Sequence, residues 1–173
     1  MNEVIKCLTE RRSARHYGPR QVEPDVLDQI LLAGTYAPTG MGRQSPVIVA
    51  VQDPATVKQL SRMNAAVMGS DGDPFYGAPT VLVVLADKNV GTYLYDGSLV
   101  MGNLMNAAHA LGVDSCWIHR AKEEFESEEG KALLKKWGIQ GDLEGIGHCI
   151  LGYADTPKND PAPRKEGYVV KVL

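Results

Sequence analysis

The chain has 173 residues, of which 44% are hydrophobic and 23% charged, so we expect a single domain over residues 1–173 and exclude disorder. Its 18 basic and 21 acidic side chains give a net charge of -3, which leaves no overall positive field for nucleic acid or an anionic membrane. The apolar runs are far shorter than the roughly 20 residues that span a bilayer, and the N-terminus does not resemble a signal peptide. We therefore expect a cytoplasmic protein with no membrane or nucleic-acid partner.

The first half of the chain predicts three helices and two buried strands. Apolar residues at helical spacing predict helices over residues 2–10, 24–36 and 54–68. Asp53 and Pro54 form a typical helix start for the third of these. Short runs rich in β-branched residues predict strands over 47–52 and 80–86. Glycines and prolines interrupt the pattern at 38–42 and 69–79, so irregular loops are expected there.

The second half continues the alternation of helices and strands. Helices are predicted over 93–111 and from the capping Ser127 to a stop at Gly138, and strands over 114–119 and 146–153. Residues 155–167 contain three prolines and no apolar period, whereas 168–173 alternate as a strand does. This C-terminal arm, residues 155–173, either reaches a neighbouring subunit or adds a strand to the sheet of its own chain.

The sequence lacks the motifs of several common kinds of functional site. The three cysteines form no C-x-x-C pair, and the four histidines have no metal-ligand spacing, so no metal site is expected. Buried, reduced thiols are the simplest interpretation of the cysteines. A phosphate-binding P-loop is absent.

Four segments carry candidate binding residues. The first, Arg11-Arg12-Ser13-Ala14-Arg15, concentrates three guanidinium groups that suit phosphate oxygens, although a solvated charge cluster at a helix end would look the same. The second, residues 37–46, combines glycines that allow close approach of a flat ligand with Thr39 and Gln44, although a plain loop is the alternative.

The other two segments lie later in the chain. Residues 115–120 end a predicted strand, a common place for ligands, but Trp117 and Ile118 are equally typical of ordinary core. Pro163-Arg164-Lys165 adds basic charge to the C-terminal arm, where solvated side chains are the alternative.

Taken together, the segments resemble the nitroreductase family of FMN-dependent, NAD(P)H-using oxidoreductases over essentially the whole chain. No single segment is decisive, but five marks occur in the family's order. They are Arg11-Arg12-Ser13-x-Arg15, Ala37-Pro38-Thr39-Gly40 to Gln44, Asp73 to Pro79, Leu111-Gly112-Val113-x-Ser115-Cys116-Trp117-Ile118 and Pro163-Arg164-Lys165.

The resemblance implies an α+β fold in which helices flank a mixed central β-sheet. It also implies a homodimer formed through the helix at 93–111, with the C-terminal strand exchanged between subunits. The activity implied is reduction of nitroaromatics, quinones or similar flat acceptors by a ping-pong course. In that course NADH or NADPH reduces FMN and leaves before the acceptor binds.

The resemblance also implies a role for each site residue. Arg11 would hold the FMN phosphate with Arg164 or Lys165, and Arg15 would lie near N1 and the C2 carbonyl of the flavin. Backbone at the strand end would face N5. Because FMN carries the chemistry, no protein group is expected to be catalytic. The remaining expected contacts are Arg12 and Ser13 at the pyrimidine edge and ribityl chain, Ile118, His119 and Arg120 at the strand end, and Pro38, Thr39, Gly40 and Gln44, of which 38–40 would come from the partner.

The chain also departs from the family pattern. Many members have asparagine in place of Gly42 and a glycine or acidic residue in place of His119 and Arg120. These departures leave the acceptor open. Different flavin chemistry, such as dehalogenation, flavin destruction or azoline oxidation, and a non-catalytic flavin-binding protein remain alternatives.

Overall fold

A computed structural model describes residues 1–173 and contains six α-helices and four β-strands. The helices are α1 (Glu3–Glu10), α2 (Pro24–Thr35), α3 (Pro54–Met68), α4 (Tyr93–Ala110), α5 (Ala121–Glu126) and α6 (Glu128–Lys136). The strands are β1 (Pro46–Val51), β2 (Thr80–Asp87), β3 (Asp114–Ile118) and β4 (Leu143–Gly152). A short 3-10 turn, Gly40–Gly42, lies between α2 and β1. None of the helices has both the length and the apolar content needed to cross a membrane.

The four strands form one sheet in the order β1-β2-β4-β3, and every neighbouring pair of strands is antiparallel. The α+β class with flanking helices is therefore as predicted. The sheet was expected to be mixed, but its only parallel pairing within the chain is an isolated bridge between Ser13 and Ser115. That bridge brings the segment after α1 alongside β3.

Helices cover both faces of the sheet, because the side chains of β2 are apolar on both faces and alternate between two cores. Val81, Val83 and Leu85 face a core that includes residues of α3, α5 and α6. Leu82, Val84 and Ala86 face the other core, to which α2 and α4 contribute. All of these β2 residues are fully buried.

The long helix α4 approaches the sheet closely at one glycine. A Cβ atom on Gly97 would lie 2.5 Å from Cγ1 of Ile146, so a larger residue would push the helix away from β4. Gly102, by contrast, faces open space.

The structure differs from the sequence-based expectation in two places around β4. Helix α5 was not predicted, because its six residues are too few to show a period. Strand β4 begins at Leu143 rather than at residue 146. The additional strand residues, Leu143 to Gly145, pair with Leu85 to Asp87 of β2. Gly145 allows a close approach to α5 there, since a Cβ atom would lie 2.2 Å from the carbonyl oxygen of Ala121.

The C-terminal arm forms neither a helix nor a strand, and residues 155–173 are exposed. The alternative in which 168–173 add a strand to the sheet of their own chain is therefore wrong. The arm is held only near its start, where Asp114 accepts a hydrogen bond from the backbone of Ala154 at 2.9 Å and pairs with Lys158.

Candidate functional site

A pocket of about 410 Å³ lies where β3 ends, and we call it the strand-end pocket. Its volume falls within the range typical of small-molecule sites. Four of the residues proposed from sequence line it together: Arg15, Ile118, His119 and Arg120. Tyr76, from the loop after α3, also lines it.

The basic segment after α1 reaches this pocket by running beside β3. The Ser13–Ser115 bridge and a hydrogen bond from the Ala14 N–H to the Ser115 carbonyl, at 3.1 Å, fix that course. Arg15 is exposed at the pocket. Arg12 instead turns back, and its Nη1 donates to the carbonyls of Thr9 and Arg11 at 2.7 Å. The Arg12 guanidinium therefore provides hydrogen bonds to carbonyls at the end of α1.

Arg11 has an unusual environment for an arginine. Its Nη1 is buried and has no hydrogen-bond partner in the protein. A buried guanidinium nitrogen without a partner is costly, so it marks a position where an anion fits. The phosphate of FMN is such an anion, and the residues present therefore fit this part of the cofactor.

Positive charge around Arg11 also affects a neighbouring histidine. Partial burial lowers the pKa of His109 below its usual value of 6.5, and the cationic Lys158 and Arg11 lower it further. The carboxylates of Asp114 and Glu10 act in the opposite direction and raise this pKa.

Arg164 and Lys165 were expected to join Arg11, but the structure does not bring them together within one chain. Both are exposed in the C-terminal arm. Arg164 donates to the carbonyl of Ala162, and Lys165 lies 5.4 Å from the ring centre of Tyr168. The arm residue that acts electrostatically on His109 is Lys158.

The loop containing Pro38, Thr39, Gly40 and Gln44 lies at a different cleft. Thr39 and Gln44 line this cleft of about 300 Å³, which also involves α2, β1 and α4 and shares no residue with the strand-end pocket. Pro38 is exposed beside it. The two predicted halves of the site are therefore separate within one chain. A site completed by two chains would have this arrangement, and it stays a prediction.

Asp96 of α4 determines the shape of this loop. Its buried carboxylate accepts hydrogen bonds from the Gly40 N–H at 3.0 Å, from Ser45 Oγ at 2.8 Å and from Thr92 Oγ1 at 3.1 Å. Gly40 is also required sterically, because a Cβ atom there would lie 2.3 Å from Thr92 Oγ1. Asp96 was not proposed from sequence. Its position among apolar residues of a helix is the only signal that could have indicated a buried role.

The turn after β3 is held by a second residue that the sequence did not single out. Asn64, fully buried on α3, donates through Nδ2 to the His119 carbonyl at 2.7 Å and accepts from Arg120 Nε at 2.9 Å. Arg120 has φ of 77°, in the left-handed region that non-glycine residues rarely adopt. Asn64 follows Leu60 and Met63 on the buried face of α3, so its polar type at a core position was a usable signal.

Asp73 shapes the opposite wall of the pocket. Its side chain accepts from the Phe75 N–H at 2.9 Å and from the Gly77 N–H at 2.7 Å. These bonds hold the intervening Tyr76 at φ of 54° on the wall of the pocket. No group of three or more His, Cys, Asp or Glu side chains is arranged to hold a metal ion.

Comparison with known proteins identifies the family of the chain. The family model described as "Nitroreductase family" matches residues 8–74 and 69–153. The chain therefore belongs to the nitroreductase family.

Individual relatives cover nearly the same length. A protein of Archaeoglobus fulgidus, named "Putative NADH dehydrogenase/NAD(P)H nitroreductase", is 29% identical over 164 residues, which are 92% of this chain and 90% of that protein. The crystal structure of a Bacteroides fragilis nitroreductase with bound FMN superposes with a TM-score of 0.91 at 28% identity, covering all of both chains. An FMN-bound nitroreductase of Desulfitobacterium hafniense gives a TM-score of 0.90 at 25% identity, also over all of both chains.

Proposed function

We propose that this protein is an FMN-dependent NAD(P)H oxidoreductase that acts as a homodimer and reduces a small, flat electron acceptor such as a nitroaromatic or a quinone. The observation that carries the proposal is the buried, unpartnered Nη1 of Arg11 in a segment that leads directly to the strand-end pocket. The FMN bound by similar nitroreductases supplies the matching phosphate.

The residues of the chain would bind and orient the cofactor in this proposal. Arg11 would hold the phosphate, and Arg15 would stand beside the part of the ring where negative charge collects on reduction. Ile118, His119 and Arg120 would form the wall facing the ring. FMN, when bound, supplies the redox chemistry by accepting hydride from NADH or NADPH and passing it to the acceptor.

Exposed apolar surface supports the homodimer. Helix α1 has no buried residue, and α4 exposes large side chains as well. Strand β1 is a free edge of the sheet, to which a strand from another chain could add. The exposed apolar residues are Val4, Ile5 and Leu8 on α1, Leu94, Tyr95 and Leu99 on α4, and Val169, Val170 and Val172 on the arm.

Changing Arg11 to Ala tests the proposed phosphate contact. The wild-type chain should bind FMN as a yellow protein that NADH or NADPH bleaches without oxygen. A charge-assisted hydrogen bond contributes about 1.5–3 kcal/mol, so R11A should weaken FMN binding by about 10- to 100-fold in a fluorescence titration.

Arg62→Ala is the matched control, because Arg62 forms an exposed ion pair with Glu129 far along the chain from this segment. It should bind FMN as the wild type does. Equal affinity of R11A and R62A would contradict the phosphate assignment. A wild-type protein that stays yellow with both nicotinamides would instead indicate a binding protein without reductase activity.

A further inference from the structure

We propose that Asn64 is a positioning residue that sets the direction of the backbone N–H of Arg120 in the strand-end pocket. The identity of the group that this N–H would contact rests on the proposed function. The orientation of the N–H does not. Asn64 does not itself line the pocket. It would therefore act on the bound cofactor only through the turn after β3.

The hydrogen bonds of Asn64 fix the orientation of its own amide. The His119 carbonyl can only accept, and Arg120 Nε–H can only donate. Asn64 Nδ2 must therefore face the carbonyl and Oδ1 must face the guanidinium, as their distances of 2.7 and 2.9 Å indicate. The Asn64 side chain is thus hydrogen-bonded to both residues of the turn.

The geometry of the peptide bond links the hydrogen bond at the His119 carbonyl to the orientation of the Arg120 N–H. The chain has no cis peptide, and in a trans peptide the C=O and N–H groups point in opposite directions. Because the His119 carbonyl points to Asn64, the Arg120 N–H of the same peptide points away from Asn64, and both residues line the pocket. Neither the His119 nor the Arg120 N–H has a hydrogen-bond partner in the protein.

A buried pair behind Asn64 holds the amide in place. Asn64 Nδ2 also donates to Glu124 Oε1, and the same oxygen lies 2.9 Å from Nε2 of His148. Asn64, Glu124 and His148 are all buried, and the centre of the His148 ring lies 5.2 Å from that of Phe75 and 6.2 Å from that of Phe125. The contacts run from His148 on the central strand β4 to the turn, so the turn is attached to the buried interior of the fold.

This attachment also explains how Arg120 keeps a left-handed conformation. A non-glycine residue at φ of 77° needs surrounding contacts to hold it there. The bond from Arg120 Nε to Asn64 and the start of α5, where the Glu124 N–H donates to the Arg120 carbonyl at 3.1 Å, are those contacts.

The test uses the full chain with Asn64 changed to Leu, which keeps the number and branching of the side-chain heavy atoms and removes all of the hydrogen bonds. Asn64→Ala is the second variant, because the smaller side chain leaves room for water beside Glu124 if N64L does not fold. Gln59→Leu is the matched control, since it breaks a 2.8 Å bond from the same helix to Glu129 of α6 without touching the turn.

Two measurements are made on each variant. The first is the crystal structure of the FMN-free protein, in which the peptide between His119 and Arg120 should rotate in N64L and N64A but not in Q59L. The second is the rate of anaerobic FMN bleaching by NADH or NADPH, together with the visible spectrum of the bound FMN. Displacement of an oriented donor should lower this rate by about 10- to 100-fold in the Asn64 variants and shift the spectrum.

An unchanged peptide in the FMN-free Asn64 variants would overturn the inference. Bleaching rates and spectra equal to those of Q59L would overturn it as well, because a merely structural role would lower thermal stability alone. A wild-type protein that neither binds nor bleaches FMN would overturn the proposed function, and the FMN-free crystal structures would still decide the role of Asn64.

Discussion

Two arginines near the candidate site differ in how their guanidinium groups are satisfied. Arg120 is tied to Asn64, whereas Arg11 leaves a buried nitrogen without a partner. A buried polar atom without a partner needs an explanation, and an anion is the partner that suits a guanidinium nitrogen. The two residues therefore have different expected responses to FMN, with Arg11 changing its contacts and Arg120 keeping them.

His109 reports on the charge near Arg11. Its pKa is lowered in the folded state by partial burial and by Lys158 and Arg11. As the pH falls below 6.5, the histidine of the unfolded chain is therefore protonated before that of the folded chain, so the free energy of unfolding of the FMN-free protein should decrease. A bound phosphate would add negative charge and favour the imidazolium, so FMN should raise the pKa of His109 in an NMR titration.

Riboflavin is the control for this titration, because it has the same ring system but no phosphate. It should leave the pKa of His109 unchanged. A pKa that does not move with FMN, or that moves equally with riboflavin, would show that the phosphate does not bind near Arg11.

At the scale of elements, local sequence patterns were sufficient to predict most boundaries of the helices and strands. Asp53 accepts from the Thr56 N–H at 2.9 Å and begins α3 as predicted, because a helix cap needs only neighbouring residues. The first residues of β4, Leu143 to Gly145, pair with the end of β2, and no local pattern contains that information.

The same distinction applies to the candidate site. Arg15 and the 118–120 segment were proposed from sequence and line one pocket, because each belongs to a short motif that carries its own chemistry. Asn64 and Asp96 were missed, because their function depends on loops distant in sequence. Whether any of these residues contacts FMN stays a prediction.

Helix α4 should control the loop at Gly40 through Asp96. Asp96→Ala leaves the Gly40 N–H and the Ser45 hydroxyl without their acceptor, which should lower the free energy of unfolding by about 1–3 kcal/mol in urea denaturation. If this loop completes a partner's site, the same variant should also weaken FMN binding.

Asp53→Ala provides the comparison for that experiment. Loss of this exposed cap should cost about 1 kcal/mol of stability and leave FMN affinity unchanged. D96A and D53A with the same FMN affinity would show that the loop at Gly40 is not part of a flavin site.

On the scale of the whole molecule, the arm beyond Lys158 has no hydrogen bond or ion pair with the rest of the single chain. Residues 155–173 are exposed although five of the last six are apolar or aromatic, namely Tyr168, Val169, Val170, Val172 and Leu173. Monomeric proteins rarely expose such a run of apolar residues, so another chain is the expected contact.

Truncation after Asp160 tests this expectation. The shortened chain should be a monomer by light scattering and should lose FMN, because both the exchanged strand and the basic pair Arg164 and Lys165 are removed. Changing only Arg164 and Lys165 to Ala should keep the dimer and weaken FMN binding. A truncated chain that remains a dimer with bound FMN would contradict the proposed exchange.

The separation of the strand-end pocket from the cleft at Thr39 has a thermodynamic consequence. In a site completed by two chains, anything that favours association also favours cofactor binding, and by linkage the cofactor favours association to the same degree. Retention of FMN then depends on how much of the protein is present. Newly made chains at low concentration would hold little cofactor, and loading would become cooperative as the protein accumulates.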